Sequence, residues 1–116
     1  MGDSADPFLY KVASSEDWQQ VLSDGTFRGF GIDLEDGFIH LSTGDQIKET
    51  VRRYFAGRAD LMLIVIDGGG LGQTLRWEPS RSGDLFPHVY GTIPMSAVQQ
   101  AEPLPLGDNG EHCFTF

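Results

Sequence analysis

The sequence has one cysteine, Cys113, so no disulfide can form within the chain and the fold must rest on packing. This fits a reducing compartment, and cytoplasmic localisation is the expectation. No apolar run approaches the roughly 20 residues that a helix needs to cross a bilayer, so no membrane association is expected. The amino end, Met1-Gly-Asp-Ser-Ala-Asp-Pro7, is acidic and carries no basic segment followed by an apolar stretch, which predicts no secretory leader. Asp6 stands where a myristoylation signal needs Ser or Thr. Basic residues are scarce, eight against seventeen acids, for a formal charge of -9. Such a field repels polyanions, so nucleic acid is disfavoured and a small-molecule or protein partner is expected. Half of the basic residues, Lys48, Arg52, Arg53 and Arg58, lie in one short segment, read as a solvated helix face. The glycines at 68, 69, 70 and 72 match neither the dinucleotide fingerprint nor the P-loop, and no helix pattern follows them.

The 116 residues, 40% of them hydrophobic, suffice for one core and one domain over 1–116. Phe8 to Ala13 reads as a strand. Ser14 or Ser15 then caps a helix that ends at Asp24-Gly25 and buries Trp18, Val21 and Leu22. In the following glycine-rich and acidic loop, Phe30, Ile32 and Leu34 alternate as a short extended piece. Phe38–Ser42 is a strand whose period of two puts Phe38, His40 and Ser42 on one face and Ile39 and Leu41 on the other. Thr43 with Gln46 forms a capping box for a helix whose stripe is Ile47, Val51, Tyr54 and Phe55, closed at Gly57. Leu61 to Ile66 is continuous, apolar and β-branched, which predicts a central strand buried on both faces. Strands over 74–78 and 86–90 follow. Val98–Leu106 and Cys113–Phe116 form a terminal hairpin around Gly107–Gly110, with Pro103 and Pro105 favouring an edge.

Two segments, Phe-Ile-His-Leu-Ser and Phe-Pro-His-Val-Tyr-Gly, each carry a histidine sharing its strand face with aromatic or hydroxyl groups. Two such strands side by side would make a cleft with a polar centre, His40 and His88, and apolar walls. Buried histidines that merely bond to backbone are the competing explanation. Ser42 and Thr43 lie at a strand-to-helix junction where free N–H groups can hold phosphate, although Thr43 and Asp45 also serve as plain caps. Asp33, Glu35 and Asp36 lack the twelve-residue calcium-loop pattern and read as a solvated acidic loop. No metal is expected: His40, His88, His112 and Cys113 have no compact ligand spacing. No nucleophile elbow surrounds Ser42, and Cys113 and His112 are strand neighbours that point apart.

Taken together, Tyr10, Trp18, Asp36-Gly-Phe-Ile-His-Leu-Ser42, Gln46, Tyr54-Phe55, Leu63-Ile-Val-Ile-Asp67, Arg76-Trp-Glu78 and Phe86-Pro-His-Val-Tyr-Gly91 resemble a bacterial domain-of-unknown-function family, number 952. The likeness spans about 8–106. That family is similar in fold to ADP-ribosyltransferases and RNA 2'-phosphotransferases, which implies an α+β architecture: a split mixed sheet with two main helices, the ADP-ribosylation-like fold. The resemblance implies a cleft for NAD or a related nucleotide. His40 would orient a ribose hydroxyl beside Ser42 and Thr43, and Tyr54, Trp77 or Tyr90 would stack on nicotinamide. His88 would be the second polar centre. Catalysis needs a carboxylate to stabilise an oxocarbenium-like charge, for which Glu78 and Glu102 are the available acids. The alternative is a non-catalytic module that binds a metabolite or a protein partner. Removal of RNA 2'-phosphate is disfavoured by the charge and by the lack of a clear arginine set.

Overall fold

A computed structural model describes residues 8–80 and 83–114. Strand β1, Phe8–Ser14, leads into α1, Ser15–Asp24, where the Ser14 hydroxyl accepts the Asp17 N–H and Gly25 closes the helix at φ 75°. Helix α2, Ile32–Asp36, precedes β2, Ile39–His40, and α3, Gly44–Tyr54, starts on the expected Thr43–Gln46 capping box with both of its bonds present. Then come β3, Leu61–Asp67, β4, Leu75–Pro79, β5, Leu85–Val89, and β6, Val98–Pro103.

The strands form two three-stranded sheets, in the orders β1-β3-β6 and β2-β5-β4. All of their pairings are antiparallel, which corrects the expected mixed sheet. A single crossover helix would have returned β3 parallel to β1. The chain instead detours through β2 in the other sheet, so β3 arrives running the opposite way. The sheets touch through one antiparallel bridge between Tyr10 and Ser42, whose two backbone bonds are 2.8 and 2.9 Å long. Residues on both sides of that bridge, Tyr10, Lys11 and Val12 with His40, Leu41 and Ser42, line a cleft.

Strand β3 is the central strand expected. Ile64 and Ile66 enter one core with Trp18 and Val21 of α1 and with Ile39 and Val89 of the second sheet. Leu61 and Leu63 enter another, covered by Ile47 and Val51 of α3. Burying such side chains contributes about 1.5–3 kcal/mol each. Three sequence expectations fail here. Leu22 and Tyr54 are exposed, because Trp18 and Val21 already fill the α1 contact and Tyr54 sits past the edge of the α3 stripe. From Ile32 onward the expected extended piece is instead the helix α2, in which Ile32 and Leu34 are exposed and Asp33 is the buried residue. The terminal hairpin is shortened to a Leu106–His112 bridge flanked by bonds from the Gly107 N–H to the Glu111 carbonyl and from the Cys113 N–H to the Pro105 carbonyl, and 115–116 lie outside the described residues. No described helix is long and apolar enough to cross a membrane.

Candidate functional site

His40 and His88 face each other as register partners across β2 and β5, their ring centroids 5.3 Å apart. The Phe38 ring packs on both imidazoles and on Tyr90, at 4.5, 4.4 and 5.0 Å. This is the period-two facing expected of both motifs. Ile39 and Val89, partners one position on, turn the other way into the core. The histidines line a cleft of about 470 Å³, within the range usual for a small-molecule site. Tyr10, Tyr54 and Phe86 supply its aromatic walls, and Ser42 and Thr50 its hydroxyls.

Behind His40 lies a charge cluster built on Asp33, which is 2% exposed. One Asp33 oxygen accepts the His40 N–H at 3.0 Å and faces His40 Nδ1 at 2.6 Å. The other accepts the Phe30 N–H at 2.9 Å and meets Lys11 Nζ at 2.7 Å. Burial alone would raise the Asp33 carboxyl pKa. The His40 bond, then the charge and bond of Lys11, overcome it and hold the group at about 2. The Lys11 pKa is lowered too, which in an ammonium disfavours the charged form. Burial depresses its ammonium below the ordinary lysine value despite Asp33; among the described residues its N–H groups meet Asp33 and the His40 carbonyl, the latter at 2.9 Å. The carboxylate with four donors is the better-compensated charge.

Asp36, one helical turn on in α2, stands 3.0 Å from His40 Nε2. Both imidazole nitrogens of His40 are therefore claimed by carboxylates. Gly29 makes the approach possible: at φ 103°, a side chain there would put its Cβ 2.7 Å from that of Asp33.

On the other side, Glu78 Oε1 is 2.8 Å from His88 Nδ1 and accepts the Tyr90 hydroxyl at 2.7 Å. The His88 bond, then that of Tyr90, lower the Glu78 pKa, and the bond to Glu78 raises that of Tyr90. The Arg76 guanidinium lies 5.0 Å from the Tyr90 ring centroid.

Of the residues singled out in the sequence, His40, His88, Ser42 and Tyr54 line the cleft, and Glu78 and Tyr90 support it from behind. Trp77 does not join them. Its partner is Pro87, so it shares the face of Val89 and Ile39, opposite the histidines. Thr43 caps α3, its hydroxyl taking the Gln46 N–H and its own N–H given to the Gln46 side chain, which consumes two donors proposed for phosphate. Glu102 pairs with Leu63 on the first sheet. The cluster that sequence reasoning missed is Asp33, Asp36 and Lys11. The solvated acidic loop is thus corrected at Asp33, and the available signal was Lys11 in an otherwise apolar strand, which calls for a buried acid. Among the described residues no group of three or more His, Cys, Asp or Glu is placed to hold a metal ion.

Comparison with known proteins gives a consistent result. No curated protein matches the chain. The crystal structure of the Caulobacter crescentus protein CC0527 is 40% identical and superposes with a TM-score of 0.86, covering 91% of this chain and 93% of that one. The solution structure of the same bacterial protein gives 40% identity, a TM-score of 0.82 and 91% coverage of each chain. The model of a family described as a protein of unknown function, DUF952, matches residues 12–101. The chain belongs to the DUF952 family of proteins of unknown function.

Proposed function

We propose that the cleft between the two sheets binds a small ligand with a planar ring and a ribose-like set of hydroxyls, of the class to which NAD and its nicotinamide riboside portion belong. The observation that carries the reading is the convergence of two imidazoles, two hydroxyls and three aromatic rings on one half-buried space. A ring would pack against Tyr54 or Phe86, and ribose hydroxyls would meet His88, Ser42 and Thr50. His40, with both nitrogens engaged, acts as a fixed wall rather than as the hydroxyl partner.

The charges favour the nucleoside portion over the diphosphate. Lys11 is the lysine of the cleft lining, and its ammonium is spent on Asp33 and the His40 carbonyl. Glu78 Oε1 is engaged by His88 and Tyr90, which favours binding over ribosyl transfer. Calorimetric titration with nicotinamide riboside, NAD, ADP-ribose and nicotinamide tests this. The riboside should bind at least as tightly as NAD, with no nicotinamide released. Absence of binding by all four would end the reading, and steady release of nicotinamide from NAD would replace it with a transferase.

A further inference from the structure

The His88 ring is buried, 5% exposed, yet lines the cleft. Its Nδ1 faces the Glu78 carboxylate at 2.8 Å, and among the described residues Nε2 has no partner. A carboxylate only accepts, so Nδ1 carries the hydrogen, and in the neutral ring Nε2 presents a lone pair. An imidazole oriented by a carboxylate on one nitrogen and open on the other is the arrangement of a proton acceptor. Phe38 packed on the ring and the Tyr90 hydroxyl on the same Glu78 oxygen restrict any rotation that would exchange the nitrogens.

We propose that His88 Nε2 is the proton acceptor of this cleft, taking the hydrogen of an O–H group on the bound ligand, with Glu78 and Tyr90 as positioning residues. This deepens the ligand reading and uses the same cleft. On full transfer the proton passes to Nε2, the bonding pair stays on the ligand oxygen, and the Glu78 carboxylate faces the imidazolium so formed. The ligand class is therefore a hydroxyl compound with an apolar or planar body, for which Tyr10, Tyr54 and Phe86 supply the walls.

Phenol and its methyl ether, anisole, isolate the O–H group, and long-range proton–nitrogen spectra of the imidazoles report the tautomer in the intact chain. His88 should show hydrogen on Nδ1 and a bare Nε2, whose signal moves with phenol. Phenol should bind about tenfold more tightly than anisole, the loss usual for an unmet buried hydrogen bond. Glu78→Gln should populate the other His88 tautomer and remove most of that preference, a change that loss of packing alone does not produce. Hydrogen on Nε2 in the native chain, equal binding of the two probes, no phenol binding, or an unchanged tautomer in Glu78→Gln would each overturn the proposal. If phenol behaves as expected while nicotinamide riboside fails to bind, the ribosyl reading falls and the acceptor stands.

Discussion

Removing the Asp33 carboxylate should cost this domain a large part of its stability, by an amount and pH dependence that the cluster defines. The carboxyl is held at about 2 against an ordinary 3.8. At 1.36 kcal/mol per unit, the charged form gains about 2 kcal/mol from its donors on folding. Because the folded value is depressed, this contribution is complete above the unfolded value and disappears as pH falls from about 4 through about 2. Asp33→Asn keeps the shape but sets an amide among the donors Lys11 Nζ, His40 Nδ1 and two backbone N–H groups. Asp33→Ala leaves all four unmet, and breaking a buried pair this way costs about 3–5 kcal/mol. Lys11→Met should cost less than Asp33→Ala, since burial already disfavours the ammonium and Asp33 keeps three other donors. Urea unfolding at pH 7, 4 and 2.5 would read these differences. The gap between wild type and Asp33→Asn should narrow at the lowest pH, and a gap constant across the series, or Lys11→Met as damaging as Asp33→Ala, would refute the reasoning.

Other outcomes follow from the same geometry. Gly29→Ala should destabilise by about 1–3 kcal/mol in thermal melting, because it forces a side chain to φ 103° and against Asp33. Val51→Asp should abolish cooperative unfolding, since Val51 is 1% exposed. By contrast, Arg58→Ala, which removes an exposed pair with Asp60, should shift stability by about 0–1 kcal/mol. Trp77→Ala should leave titration of the cleft unchanged, while Tyr54→Ala weakens it, the opposite of equal roles for the two rings.

Much of this fold was legible because it follows from apolar periodicity. Ile47 and Val51 sit one turn apart and are buried, Leu61 to Ile66 fills two cores, and the alternation at Phe38–Ser42 sends His40 to the cleft and Ile39 to the core. The parts that were not legible depend on polar partners far apart in sequence. In α2 the residue that decides the structure is Asp33, whose donors come from Lys11, Phe30 and His40, so the apolar alternation of Phe30, Ile32 and Leu34 misleads. Trp77 was misplaced because period two assigns residues to two faces but only the register with β5 says which face meets the histidines. Antiparallel rather than mixed pairing likewise depends on the detour through β2, which no local pattern carries.

The central claim is that the space between His40 and His88 is a ligand site, and amide chemical-shift mapping during titration with nicotinamide riboside tests it most directly. The account predicts shifts concentrated at Tyr10, Ser42, Thr50, Tyr54, Phe86 and His88, with Trp77 and His112 unmoved, whereas saturating riboside with no shifts, or shifts centred on the Trp77 face, would contradict it.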